Sequence, residues 1–222
     1  MLGNVIFEDR KAAGRALARA LSGYRGRDDV LVLALPRGGV AVAFEVAEYI
    51  HAPLDVLIVR KLGVPSQPEL AMGAVASGGI RVMNEEVVRM LHIAPEVIER
   101  VAQAEAKEVA RREQKYRGHQ APLPVKDRIV ILVDDGVATG STMRAGIQAL
   151  RKLAPARLVV AVPHGPAQTC EVLAGEADEL VCLETPEPYF AVGAWYGEFP
   201  QLSDEEVARF LASSRTGGGA GA

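Results

Sequence analysis

The stretch IVILVDDGVATGST at residues 129–142 decides the fold. An unbroken apolar run ends in two adjacent carboxylates, Asp134 and Asp135, and then in a loop of small residues. A strand with no polar face is covered on both sides, as strands of parallel sheets are. The run therefore reads as a buried strand over 128–134, followed by a helix over 141–153. Packing gives no reason to place two carboxylates at the end of such a strand. A ligand does, because open parallel sheets bind ligands outside the carboxyl ends of their strands.

The same alternation continues on both sides. Upstream, DDVLVLALPRGGVAVAFEVAEYI gives a strand at 30–35, a Pro/Gly turn at 36–39 and a helix over 40–50. PLDVLIVRKLG reads as a second buried strand at 54–60. Downstream come strand 156–162, helix 166–175 and strand 179–183. Strands alternating with helices imply βαβ units. The expected fold is α/β, a doubly wound, mostly parallel sheet flanked by helices. An amphipathic helix opens the chain over 8–22, with Ala12, Ala16, Leu17, Ala20 and Leu21 at helical spacing. Residues 71–77 and 80–83, joined by Ser77-Gly78-Gly79, have hairpin punctuation. Residues 95–117 form an inserted long helix with Pro95 in its first turn. Its Glu96/Arg100, Glu108/Arg112 and Glu113/Arg117 pairs fall four apart on wet faces. A last helix covers 204–212, with Ser203 as cap and Glu206 in capping-box position. This divides the chain into a core at 1–183, a small C-terminal hood at 184–212 and a low-complexity tail at 213–222 expected to be disordered.

The 222 residues carry a net charge of −3, with 49% hydrophobic and 24% charged residues. That balance suits a globular domain and gives no global pull toward nucleic acid or an anionic membrane. No apolar run approaches the roughly 20 residues that cross a bilayer. The start, MLGNVIFEDRKAAG, lacks the basic and apolar regions of a signal peptide. Cys170 and Cys182 read as two reduced thiols. A cytoplasmic protein with no nucleic-acid or membrane partner is the expectation.

Three strand ends carry polar residues together: PRGG at 36–39, RKLG at 60–63 and DDGVATGST at 134–142. In the third, Gly136, Val137, Ala138, Thr139, Gly140, Ser141 and Thr142 run into a helix N-terminus. Free N–H groups and the helix dipole suit a phosphate there, glycine admits close approach, and the hydroxyls add donors. A triphosphate-binding P-loop needs lysine after its last glycine, and Ser141 stands in that place. The turn therefore suits a phosphate monoester. Two carboxylates beside it would repel the anion unless a sugar diol or Mg²⁺ lies between. Arg37, Gly38, Gly39, Arg60 and Lys61 add a cationic wall at the same edge. A ligand with phosphate at one end, ribose in the middle and diphosphate at the other fits that layout.

VILVDDGVATGST resembles the phosphoribosyl diphosphate (PRPP) signature of the type I phosphoribosyltransferases across all thirteen positions, and ALPRGG resembles their diphosphate turn. The resemblance extends over about residues 28–185. It implies a Mg²⁺-dependent pentosyltransferase of nucleotide metabolism, in purine or pyrimidine salvage, with PRPP and a small nitrogenous acceptor as partners and a homodimer as its assembly. Residues 136–142 would hold the 5′-phosphate, and Asp134 and Asp135 the ribose hydroxyls, directly or through Mg²⁺. Arg37, Gly38, Gly39, Arg60 and Lys61 would hold diphosphate, with Lys61 just before a segment that resembles the family's mobile loop at 62–82. Hypoxanthine-guanine members carry a carboxylate where this chain has Ala138, which argues against a 6-oxopurine acceptor; Glu69 is a candidate substitute acid. The acceptor pocket is expected under 184–200, where Tyr189, Phe190, Trp195, Tyr196 and Phe199 cluster; Phe190, Trp195, Tyr196 and His164 are its candidate contacts. The same rings could instead pin a flap to the core. A non-catalytic regulator binding PRPP or a nucleotide on this fold is the alternative function, and an unrelated phosphosugar enzyme on a doubly wound sheet is a third.

Overall fold

The computed structural model describes residues 5–65 and 67–217. Five parallel strands form the main sheet in the order β2-β1-β6-β7-β8. They are β1 (Val30–Ala34), β2 (Leu54–Val56), β6 (Ile129–Val133), β7 (Arg157–His164) and β8 (Glu179–Glu184). A second, antiparallel sheet holds β3 (Val59–Val64), β4 (Gln67–Ala76) and β5 (Ile80–Met83). The helices are α1 (Arg10–Ala20), α2 (Gly38–Ile50), α3 (Glu85–Met90), α4 (Pro95–Arg117), α5 (Ser141–Arg151), α6 (Ala167–Glu176) and α7 (Asp204–Gly217).

The strands explain their own burial by alternation. Val30, Val32, Ile129, Ile131, Val159 and Ala161 face one core, shared with α1, α2, α4 and α7. Leu31, Leu33, Val130, Leu132, Leu158 and Val160 face the other, shared with α5 and α6. Successive side chains point to opposite faces, so a strand in the middle layer must be apolar throughout. The parallel order leaves the turns after β1 and β6 side by side, because Ala34 pairs with Val133.

Several boundaries differ from those expected. The segment 54–60 is not one strand: the chain leaves the parallel sheet after Val56 and starts a new one at Val59. Within 62–82, the segment that resembles the family's mobile loop, the expected hairpin of 71–77 and 80–83 forms as β4 pairing β5, and β3 pairs β4 beside it. Helix α2 begins at Gly38, inside the expected turn. Helix α7 runs five residues beyond 212, so the expected tail starts in helix; residues 218–222 lie outside the described residues. The Ser203–Glu206 capping box forms, with bonds of 2.7 and 3.2 Å. Arg117 is not on a wet face. It is buried, and its Nε donates to Asp55 Oδ1 at 2.7 Å, its Nη1 to Glu113 and its Nη2 to the Val56 carbonyl. The N–H of Leu123 reaches Asp55 Oδ2 at 3.0 Å, so both charged partners are satisfied.

Candidate active site

The polar turns after β1 and β6 pack directly on each other. A Cβ added to Gly39 would lie 2.9 Å from Asp134 Cα and from the Val133 carbonyl oxygen, and one on Gly38 would overlap the Asp135 carboxylate. Only residues without side chains admit this approach. The Pro36–Arg37 peptide is cis at the same turn. The Arg37 side chain is partly exposed, its Nη1 3.9 Å from Asp204 Oδ1 at the start of α7.

Beyond the acids, Gly140 takes a left-handed conformation (φ 71°) and turns the chain into α5. Arg144 is the first residue of α5 to donate back, to the Gly140 carbonyl at 2.9 Å, so the N–H groups of Ser141, Thr142 and Met143 precede the helical ladder. Thr139 Oγ1 and Ser141 Oγ lie 3.0 Å apart, and Thr169 of α6 donates to the Ala138 carbonyl at 2.8 Å. Val137 serves the scaffold instead: its side chain is buried and its N–H donates to the His164 carbonyl at 3.0 Å. A cleft of about 200 Å³ is lined by Lys61, Asp134 and residues 136–143. It adjoins a wider space of about 570 Å³ under the antiparallel sheet, which shares Lys61 and Ser141.

The two acids differ. Asp134 borders the cleft, and its Oδ1 accepts from the Asp135 N–H at 2.8 Å. Burial, and then the Asp135 charge beside it, hold the Asp134 carboxyl well above the usual carboxylate range. Asp135 is instead engaged by protein: its Oδ2 accepts from Arg10 Nε at 2.8 Å, and its carbonyl accepts from the Tyr196 hydroxyl at 2.5 Å. Burial and the Asp135 charge raise the Tyr196 phenol, which stays a donor. Arg10 gave no sign of this role in the sequence.

Lys61 reaches the cleft but Arg60 does not. Arg60 Nε donates to Glu105 of α4 at 2.7 Å, on the opposite face of β3. Glu69 is exposed on β4 and is not among the residues lining the cleft. The aromatic cluster is a clasp rather than an open floor. Trp195, Tyr196 and His164 are buried, Phe190 is 75% exposed, and Tyr196 stacks on Phe199 at 4.9 Å. The His164 Nδ1 and the Tyr189 hydroxyl lie 3.0 Å apart.

Burial lowers the His164 pKa from 6.5 to about 4. Between those values the unfolded chain takes up a proton that the folded chain refuses, so stability is complete above pH 6.5 and is lost on acidification toward 4. Allowing for water entry at this edge of the site, the loss is about 2 kcal/mol. Urea titrations at pH 6.5 and 4 are expected to show that extra loss in the wild type and not in His164→Asn; equal losses would contradict it.

The family model of the phosphoribosyl transferase domain matches residues 6–195. The chain belongs to that family. Two Mycobacterium tuberculosis proteins described as putative phosphoribosyl transferases are 49% identical over 206 residues, covering 93% of this chain. The chain spans 46% of those curated relatives' length, about half. The crystal structure of TT1426 from Thermus thermophilus superposes with a TM-score of 0.84 at 41% identity, covering 93% of this chain and 98% of that one. These agree with a mostly parallel sheet flanked by helices. In this phosphoribosyl transferase domain no helix among the described residues is long and apolar enough to cross a membrane.

A divalent cation suits the cleft. Asp134 offers a hard oxygen donor whose ionised form is disfavoured by burial and then by a second carboxylate, and a cation relieves that conflict. No three acidic, His or Cys side chains converge among the described residues. One or two carboxylates completed by substrate oxygens is the usual arrangement for Mg²⁺.

Proposed function

We propose that this domain transfers 5-phosphoribose from PRPP to a nitrogenous acceptor, most simply a nucleobase, releasing diphosphate. The observation that carries the reading is the direct contact of the Arg37-Gly38-Gly39 turn with the Asp134-Asp135 turn, beside the start of α5 and Lys61. The turns after β1 and β6 and Lys61 of β3 come from separate strands and meet around one cleft, which supports their acting on one ligand.

In this reading the N–H groups and hydroxyls of 138–142 hold the 5′-phosphate, while Asp134 meets the ribose hydroxyls. Arg37, the backbone of Gly38 and Gly39, and Lys61 face the diphosphate as negative charge gathers on it. Mg²⁺, held by Asp134 and substrate oxygens, would neutralise part of that charge. The protein's share is orientation and electrostatic stabilisation of the leaving group, together with exclusion of water from the electrophilic sugar carbon. Lys61 lies on the antiparallel sheet and lines the cleft from that side. Family membership and the size of the cleft support a small-molecule substrate.

Isothermal titration with ribose 5-phosphate and with Mg²⁺-PRPP tests binding, and diphosphate release across nucleobases, amides and ammonia tests turnover. Thr139→Val is expected to weaken ribose 5-phosphate about tenfold, the worth of one hydrogen bond to a charged group. An unchanged affinity would put the phosphate elsewhere. PRPP binding without diphosphate release from any acceptor would favour the regulator instead.

A further inference from the structure

Arg10, outside every motif above, closes a ring of contacts around Asp135. Its guanidinium is buried, with 9% of the side chain exposed, and it has three partners. Nε donates to Asp135 Oδ2 at 2.8 Å, Nη1 donates to the Pro200 carbonyl at 2.7 Å, and the guanidinium carbon lies 3.7 Å from the centre of the Phe199 ring. Phe199 stacks on Tyr196, and the Tyr196 hydroxyl returns to the Asp135 carbonyl. Asp135 is thus gripped at its carboxylate and its backbone by one connected unit. That unit is itself tied together. The Gly197 N–H donates to the Phe7 carbonyl at 2.9 Å and the Glu198 N–H to the Glu8 carbonyl at 2.7 Å.

We propose that Arg10 is a positioning residue for the ribose-binding acids. It neutralises Asp135 and fixes the Asp134-Asp135 peptide through it, leaving Asp134 as the acid presented to substrate. The proposal rests on the phosphoribosyl transfer reading, since it assigns a role within that site. The chemistry needs arginine. Nε and Nη1 serve two acceptors while the flat face lies on Phe199, and a lysine ammonium would supply charge at one point only. It also reassigns the aromatic segment. Tyr196 and Phe199 act on the acids from behind, not on the acceptor from the front.

The test compares wild type, Arg10→Gln, Arg10→Lys and Tyr196→Phe in calorimetry and steady-state kinetics. With the phosphate turn intact, Arg10→Gln is expected to bind inorganic phosphate, which has no ribose, as the wild type does. Its KM for Mg²⁺-PRPP should rise on the order of tenfold, the usual effect of removing a group that orients a ligand-binding carboxylate, with a smaller change in kcat. Arg10→Lys should recover part of that loss, and Tyr196→Phe, which keeps the ring, should move KM the same way by a smaller factor. Wild-type kinetics in Arg10→Gln would overturn the proposal, or in Tyr196→Phe should the former not fold. Equal weakening of inorganic phosphate and PRPP would also overturn it, by showing general loosening. A wild-type protein that binds neither ligand brings down the transfer reading itself, a result separate from the variants matching a wild type that does bind.

Discussion

Asp134→Asn is expected to lower kcat/KM for Mg²⁺-PRPP by about 100- to 1,000-fold while raising the melting temperature. The activity loss is that of removing one preorganised charged group from a transfer site. The stability gain follows from the raised carboxyl. An acid whose folded pKa lies above its unfolded value of 3.8 contributes stability below 3.8, and loses it as pH rises through the folded value. At pH 7 the buried Asp134 carboxyl therefore opposes folding, and a neutral amide removes that opposition. Asparagine keeps an oxygen to accept the Asp135 N–H, so the turn retains its internal bond. Functional residues often cost stability in this way. Thermal melts beside calorimetry check both signs. A lower melting temperature would contradict the electrostatic account, and unchanged PRPP affinity would remove Asp134 from the site.

Gly39→Ala should act by geometry alone. Its new methyl would meet the Asp134 Cα and the Val133 carbonyl at 2.9 Å, both backbone atoms that no rotamer change can clear. Either α2 or the acid turn must shift. Overpacking of this kind costs about 1–3 kcal/mol. The displacement separates the Arg37-Gly38-Gly39 turn from the Asp134-Asp135 turn, and under the proposed function a misplacement of about 1 Å typically costs on the order of 100-fold. Urea unfolding gives the first number and steady-state kinetics the second. An alanine variant with wild-type values in both would mean that the two turns do not need to touch.

The parallel core was legible because each of its strands is its own evidence. Uniform apolarity in VLVLA and IVILV has one economical reading, and the residues that end those runs mark the ligand edge. The break inside 54–64 was not legible. Apolar VLIV crosses from one sheet to the other without a glycine or proline to mark the step, and only tertiary packing puts Val56 and Val59 in different sheets. Arg60 and Lys61 carry a clue in their adjacency. Neighbours on a strand point to opposite faces, so at most one could enter the cleft, and buried Leu62 shows that the Arg60 face turns toward α4. The aromatic density at 189–199 was visible, and the sequence left open two uses for it, stacking on a ligand or pinning a flap to the core. Whether a ring stacks on a ligand or on another ring depends on Phe7 and Arg10, almost two hundred residues away in sequence. Arg10 follows an ordinary cap, Asp9, and nothing local distinguishes it from a solvated first-turn arginine.

The Asp55–Arg117 network has a bearing on how copies of this chain can meet. Strand β2 is the outermost strand on its side, three residues long, and an outermost strand normally offers bare backbone groups to any passing chain. Here the Arg117 guanidinium occupies the Val56 oxygen, and the Leu123 N–H is drawn onto Asp55. At Val56 that margin is sealed from within, so a foreign strand seeking to pair there would first have to displace a buried guanidinium.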